Sequence, residues 1–466
     1  MPRSPLIVIS VGILVLAGAC ARGSSNNPAA APTSAPAGTT GTAGNAASQC
    51  SHTTLQATDV GVTPTDITVE VMADVGSPLA PGLFQGNIDA MNAYAGYING
   101  HGGIACRKLV VRTWDSKLSP SESKNGLIDS CANAFAMVGN NALFNPDPSP
   151  MTNCADKQGH ATGLPDVAAL ANDINEQCAP TAFTVTGTSR HCPNEPGAFP
   201  SPALIAPTQW LLQKYGPLHG LYLVPGDLPT TVQSSTYLLV AQEQAGVTWD
   251  ATPKVSGLDA QPSYTPRVQL AKSKGSNYVY DGLNDIGMIR MRKESVAQGL
   301  TSVKVWACSL ACYTKAFLAE GGADVDGTYL SMSFLPFEEA KYNAEDQAYV
   351  SALGSKVDSF GANAWQAAGA FKQAVDNVVN QKGPNGVTRA AVLDALQGIT
   401  NFTDNGWTGP ISLKGTGAFS GCYLILQVQQ GKYVRVYPSK PGTMDCKSSN
   451  ITTVNVDPVA EAAKLK

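Results

Sequence analysis

Hydrophobic positions are most regular between Gly61 and Gly139. Ile67, Val69, Val71 and Ala73 alternate, the two-residue period of a strand. The run stops at Asp74-Val75-Gly76-Ser77-Pro78. Phe84, Ile88, Met91, Ala95 and Ile98 then recur at four-three-four-three spacing, which predicts an amphipathic helix. Asn99-Gly100-His101-Gly102-Gly103 ends it, because Gly and Asn adopt left-handed backbone at little cost. Leu109-Val110-Val111 predicts a second strand. Ser119-Pro120-Ser121-Glu122 is a capping box with Pro at the first helical position. Phe135 to Gly139 predicts a third, buried strand. Strands alternating with helices imply a parallel α/β sheet with crossover helices.

The pattern continues further along. Leu221 to Val224 predicts a strand ending at Pro225-Gly226-Asp227, with Pro229 in the first turn of the next helix. Tyr278-Val279-Tyr280 is a strand ending at Asp281-Gly282, Val303 to Trp306 predicts another, and Thr328 to Leu335 reads as the chain returning toward the first lobe. Ala364, Ala368, Phe371, Val375 and Val378 form a second long apolar stripe. After Gly409 the pattern changes to a meander of short strands, Ile411–Leu413, Cys422–Val428 and Tyr433–Tyr437.

In open α/β sheets, ligands sit beyond the carboxyl ends of the strands, where helix N-termini offer N–H groups to anions. Six loops are therefore candidates: 76–83, 140–142, 184–189, 225–227, 281–284 and 307–310. They supply Ser77, Gly82, Asn140, Asn141, Thr186, Thr188, Asp227, Asp281 and Asn284 as candidate ligand-binding residues. Each also has a structural reading. The asparagines and threonines suit turns and loop caps, and Asp227 suits a helix cap. Asp281 is the acid best placed to meet an ammonium group. Tyr280 and Trp306 read as core aromatics or as stacking groups.

The N-terminus speaks to location. Arg3 precedes an apolar run, Leu6 to Leu16, broken only by Ser10 and Gly12, and Ala17-Gly18-Ala19-Cys20 follows. This is a secretory signal over residues 1–19. The Cys after small residues resembles a lipobox, in which Cys20 takes lipid and becomes the new N-terminus. The alternatives are an ordinary signal with a chance Cys, or an uncleaved anchor, for which the run is short. Residues 20–58 read as a tether, since 21–49 carry almost no large apolar side chain. A flexible chain of that length spans about 30 Å.

The chain has eleven cysteines, and setting aside Cys20 leaves ten, an even number that fits five disulfides in an oxidising compartment. Expected neighbours are Cys106 with Cys131, Cys308 with Cys312, and Cys422 with Cys446; pairing of Cys50, Cys154, Cys178 and Cys192 stays open. Cys308-x-x-x-Cys312 has tolerable zinc spacing, but no second close pair accompanies it, so no metal is expected. A net charge of −4 with 14 % charged residues gives no basis for a nucleic-acid partner. There is no G-x-S-x-G elbow and no H-E-x-x-H, and the five histidines are scattered, so neither an enzyme nor a cofactor is expected.

Three stretches, GVTPTDITVEVMADVGSP, YINGHGGIACRKLVV and FAMVGNN, resemble the type I periplasmic binding proteins, nearest to substrate-binding lipoproteins of branched-chain amino-acid ABC transporters. The pattern Ile-Asn-x-x-Gly-Gly-Ile-x-x-Arg-Lys is the strongest element, and the resemblance covers roughly Gly61 to Pro438. It implies a two-lobed α/β fold, each lobe a mostly parallel sheet flanked by helices. Three hinge crossings are expected near 197–204, 328–336 and 404–416. Lobe 1 would take 59–200 and 335–408, lobe 2 would take 201–334 and 409–446, and 447–466 would be a C-terminal tail. It further implies capture of a small polar solute (an amino acid, amide or small acid) and delivery to an ABC permease by a protein anchored outside the cytoplasm through lipid. A lipid-anchored sensor without a transport role is the alternative. Two positions depart from the family. Where its amino-acid binders place a serine after the third strand, this chain has Asn141-Ala142-Leu143. Where they place an acid in lobe 2, it has Cys308-Ser309-Leu310.

Overall fold

The structure, a computed structural model, describes residues 50, 53–77, 81–187, 192, 197–227, 229–282, 284–414 and 420–465. Cys20, the signal and most of the tether lie outside these residues, as does Thr188.

β1 (Asp66–Ala73), β2 (Lys108–Asp115), β3 (Ala136–Val138), β4 (Asp166–Ala168) and β5 (Ala182–Thr184) form one sheet in the order β2-β1-β3-β4-β5. Every pair is parallel. The alternating residues Ile67, Val69 and Val71 are fully buried. Helix Gln85–Gly100 buries Met91, Ala95 and Ile98, and helix Pro120–Asn133 starts at Ser119, whose hydroxyl accepts from the Glu122 N–H at 3.4 Å. The second stripe lies on helix Ser359–Lys382, which buries Ala364, Ala368, Phe371, Val375 and Val378 and packs on helix Gln85–Gly100. β4 and β5 were not legible in the sequence. Both are three residues long and each includes a polar residue, Asp166 and Thr184, whereas the equally short β3 lies in the apolar run Phe135–Val138.

β6 (Phe199–Leu204) follows outside that sheet. The second sheet takes β7 (His219–Pro225), β8 (Thr248–Ala251), β9 (Lys254–Val255), β10 (Tyr278–Asp281), β11 (Val305–Cys308), β12 (Thr328–Met332), β13 (Cys422–Gln429), β14 (Lys432–Tyr437) and β15 (Asp445–Cys446). Its core runs β13-β12-β11-β10-β7, parallel except where β13 joins antiparallel. Successive side chains take opposite faces. Tyr278, Tyr280, Ala307, Tyr329 and Ile425 belong to one packed cluster, and Val279, Trp306, Cys308, Leu330 and Leu426 to another. The expected strand Ile411–Leu413 is instead a single bridge, Ile411 to Phe402, with both N–H···O bonds at 2.8 Å. The chain there folds back on the end of the preceding helical region before it reaches the sheet.

Two passages between the sheets run side by side. Leu335 N–H donates to Trp407 O and the Trp407 indole N–H donates to Leu335 O, both at 2.9 Å. Residues 447–466, set apart above as a tail, contain β16 (Ile451–Val456), paired antiparallel with β6, and a helix Pro458–Lys464 packed on helix Pro229–Ala245. The tether also ends earlier than expected. Cys50 is bridged to Cys106, and the Gln56 carbonyl accepts from Arg107 Nη2 at 2.9 Å.

The other bridges join Cys131 to Cys154, Cys178 to Cys192, Cys308 to Cys312 and Cys422 to Cys446. The expected Cys106–Cys131 bridge is therefore wrong. Cys106 precedes the edge strand β2, whereas helix Pro120–Asn133 crosses β1 and delivers Cys131 at the start of β3, two strands away. Neighbouring strands lie about 4.8 Å apart, so two strands exceed the Cα separation of about 4.4–6.8 Å that a disulfide spans. Cys154, with a Cα 5.6 Å from that of Cys131, is in reach.

Candidate functional site

At the carboxyl ends of the first sheet, polar side chains hold one another. Asp74 Oδ1 accepts from Ser116 Oγ and from the Leu118 N–H, each at 2.7 Å, and Oδ2 accepts from the Leu143 N–H at 2.8 Å. Burial raises its carboxyl above the ordinary range, and these three donors pull it back. Asp115 Oδ1 accepts from the Val75 and Gly76 N–H groups, both at 3.1 Å, and so fixes the loop that carries the buried Ser77. Gly82 closes that loop with a positive φ of 75° and an N–H bond to Val75 O at 2.7 Å.

Asn140 bridges three strands. Its Oδ1 accepts from the Met72 N–H at 2.8 Å and its Nδ2 donates to Asp166 Oδ1 at 2.7 Å. Its carbonyl accepts from the Ala169 N–H at 3.0 Å and orients the loop after β4. Asn141 is fully buried and receives Asn172 Nδ2 on its Oδ1 at 3.0 Å. Thr186 Oγ1 donates to Ala169 O at 3.1 Å. The loops after β4 and β5 are thus set by the two asparagines and Thr186.

Those loops form one wall of a cavity of about 500 Å³. Lobe 1 supplies Leu170, Ala171, Asn172, Gln177 and Gly187. The opposite wall is one face of the second sheet, with Tyr280, Ala307, Tyr329, Ser331 and Ile425. Helices Ala206–Tyr215 and Pro229–Ala245 close the side with Thr208, Leu211, Ser234, Leu238 and Gln242. The floor is fixed: Tyr278 Oη donates to Gln242 Oε1 at 2.8 Å, and Tyr280 stacks on Tyr222 with ring centroids 5.1 Å apart. Of the six candidate loops, 307–310 and 184–189 reach this cavity, through Ala307 to Leu310 and through Gly187.

None of the nominated side chains in the described residues lines it. Ser77, Gly82, Asn140, Asn141 and Thr186 support the first sheet's loops instead. Asp281 is fully buried but follows Tyr280 on β10, so the strand's alternation turns it to the opposite face. There its charge adds to burial in raising the Tyr264 phenol. Asp227 is exposed, and its Oδ2 accepts from the Gly257 N–H at 2.7 Å. Asn284 caps helix Asp285–Ala297 through the Gly287 N–H at 3.0 Å. Sequence reasoning missed Asn172 and Gln177 because the strand before them, β4, was not recognised in the sequence. The spacing Tyr278-x-Tyr280 was the one available signal for the opposite wall.

Among the described residues no cluster of His, Cys, Asp or Glu could hold a metal, and no helix is long and apolar enough to cross a membrane.

A two-lobed α/β molecule with a solute-sized cavity walled by both lobes is the architecture of a solute-binding protein. The chain matches the periplasmic binding protein family over residues 66–432 and belongs to it. A search of curated proteins finds no match. Similar solved structures include a fatty acid ABC transporter substrate-binding protein from Thermomonospora curvata, with 17 % identity over 82 % of this chain and 97 % of that one, at a TM-score of 0.59. A branched-chain amino acid ABC transporter protein from Thermus thermophilus with bound valine shares 13 % over 83 % and 98 %, at 0.62. An ABC transporter solute-binding protein from R. palustris in complex with benzoate shares 14 % over 82 % and 98 %, at 0.61. At these identities the likeness is one of fold.

Proposed function

We propose that this chain is the extracytoplasmic solute-binding protein of an ABC importer, holding a small solute in the cavity between its sheets and handing it to a membrane permease. The observation that carries the reading is the cavity itself, walled by the loops after β4 and β5 on one side and by β10 to β13 on the other. The family match supports binding rather than catalysis at that wall. In this reading residues 59–200 and 335–408 move against 201–334 and 409–446 about the paired passages near Leu335 and Trp407. Cys20 carries lipid after signal removal, and the chain up to Cys50 tethers the domain to the membrane. The similar structures carry valine, benzoate or a fatty-acid role in their own descriptions, and the fold does not choose among such solutes.

Two measurements test it. A bound solute should raise the melting temperature of the full-length protein and lower its radius of gyration in solution scattering, as two lobes close on a ligand. Unchanged dimensions at saturation would remove the closing cleft. Mass spectrometry of the membrane fraction should find an acylated N-terminal Cys20; a mature chain starting elsewhere would remove the anchor.

A further inference from the structure

The face of the second sheet that walls the cavity carries a row of side chains in register. Tyr280 on β10 lies beside Tyr222 on β7 and beside Ala307 on β11, and Ala307 lies beside Tyr329 on β12. Residues paired across neighbouring strands share a face, and all four belong to one packed cluster with residues of helices Ala206–Tyr215 and Pro229–Ala245. The row therefore reads ring, ring, methyl, ring. Tyr280, Ala307 and Tyr329 all line the cavity, so its open space lies over the methyl with a ring on each side.

Both rings are held from behind. Tyr280 stacks on Tyr222 with centroids 5.1 Å and planes 29° apart, so its other face is turned toward Ala307. Tyr329 meets the Trp210 ring edge-on at 5.9 Å. Its Oη accepts from Lys214 Nζ at 3.1 Å and shares a hydrogen bond with Tyr215 Oη. Trp210, Lys214 and Tyr215 all belong to helix Ala206–Tyr215. Neither ring can turn to fill the gap without giving up these contacts. Neighbouring strands lie about 4.8 Å apart, so the two tyrosines rise from the sheet about 10 Å apart. A flat ring midway lies about 5 Å from each, within the range of about 4.5–7 Å at which aromatic rings pair. Leu211 and Leu238 add apolar surface from the two helices.

We infer that the solute carries an aromatic ring and seats it over Ala307, between Tyr280 and Tyr329. The inference rests on the reading of this cavity as the solute site. A saturated ring of the same size keeps the apolar contact but loses both ring pairings, and it is thicker than the flat one.

The test is calorimetric titration of the full-length protein with three pairs matched in head group: benzoate against cyclohexanecarboxylate, L-phenylalanine against L-cyclohexylalanine, and benzyl alcohol against cyclohexylmethanol. In every pair that binds, the aromatic member should bind about tenfold tighter, the effect of two ring pairings. Tyr280→Leu, which removes one ring, should cut that preference to about threefold; an unchanged preference overturns the seat. Should Tyr280→Leu fail to fold, the wild-type preference decides by itself. Ala307→Leu, which fills the gap, should abolish binding of the aromatic members. Should Ala307→Leu fail to fold, Leu238→Phe takes its place, filling the cavity from the helix side at a half-buried position. Equal or tighter binding of the saturated members, lost in the filled variant, overturns the ring and leaves the site standing. Binding that survives in the filled variant overturns the site. Binding of none of the six overturns the inference.

Discussion

In the first lobe, the carboxylates and amides at the strand ends bind one another; in the second, the corresponding region presents tyrosines, serines and aliphatic side chains to a cavity. Asp74, Asp115, Asn140 and Asn141 tie the loops after β1, β2, β3 and β4 into one hydrogen-bonded unit. Two arginines complete it from below. Arg107 reaches Thr63 O, Ala105 O, Pro384 O and Gln56 O at 2.7–3.0 Å. Arg389 reaches Phe135 O, Ala155 O, Cys131 O and Ala134 O at 2.5–3.2 Å. The second lobe holds its sheet with stacked and edge-on rings instead, among them Tyr222, Tyr280, Trp249 and Tyr278. A polar residue at the carboxyl end of a strand is thus no guide by itself to a ligand. What counts is whether a neighbouring strand end has already taken its hydrogen bonds.

The largest effect that bears on this contrast is expected at Arg389. Arg389→Ala strands several buried carbonyls, each worth about 1–3 kcal/mol when left unmade, so denaturant unfolding should show a loss of about 3 kcal/mol or more. A loss below about 1 kcal/mol would mean that the first lobe is not held by its polar pegs.

Asn140→Ala is the sharper probe. It should destabilise by about 1–3 kcal/mol yet leave the affinity of any solute that binds the wild type within about twofold, because Asn140 supports a loop and does not line the cavity. A variant of near-normal stability that fails to bind would return Asn140 to the site and undo the comparison.

The pH-dependent effect lies where the chain enters lobe 1 from the second sheet. Asp346 sits in the first turn of helix Ala344–Leu353, fully buried, and neither carboxyl oxygen has a partner among the described residues. Burial first, then the charges of Glu338 and Glu339, push its pKa up to about 8. The native state therefore keeps a proton that the unfolded chain releases near the ordinary value of 3.8. That contribution to stability is complete below the unfolded pKa and is lost as pH rises towards 8. Asp346→Asn, which cannot ionise, should match the wild type near pH 3 and be more stable by several kcal/mol, about 4–5, at pH 8, since each pH unit between the two pKa values is worth about 1.4 kcal/mol. Melting curves of both proteins across that range check it; parallel pH profiles would show that Asp346 is solvated or paired in solution.

Much of the first lobe was legible because its strands and helices are long enough to repeat. β1 spans eight residues and the helix after it sixteen, so periods of two and of 3.6 stand out. The Ser119 cap and the glycines at 102 and 103 mark ends whose chemistry is local. The motif around Arg107 was recognisable, but its work, binding carbonyls at positions 56, 63 and 384, is invisible until the chain closes. The same holds for Cys131, whose partner depends on which strand the preceding helix reaches.

Sequence by itself determined the alternation of strand and helix, the parallel α/β class and the presence of enough cysteines for five bridges, because each depends on residues within a few turns or on a simple count; the two lobes were implied by the family resemblance. Only the tertiary structure decided which groups face the cavity. The parity of β10 turns Tyr280 inward and Asp281 away. Strands of three residues bring Asn172 and Gln177 to the wall, while Asn140 is used up by Met72 and Asp166 and Asn141 Oδ1 accepts from Asn172. The physical reason is that a side chain's availability is set by partners far away in sequence, and those partners are fixed only when the sheets pack.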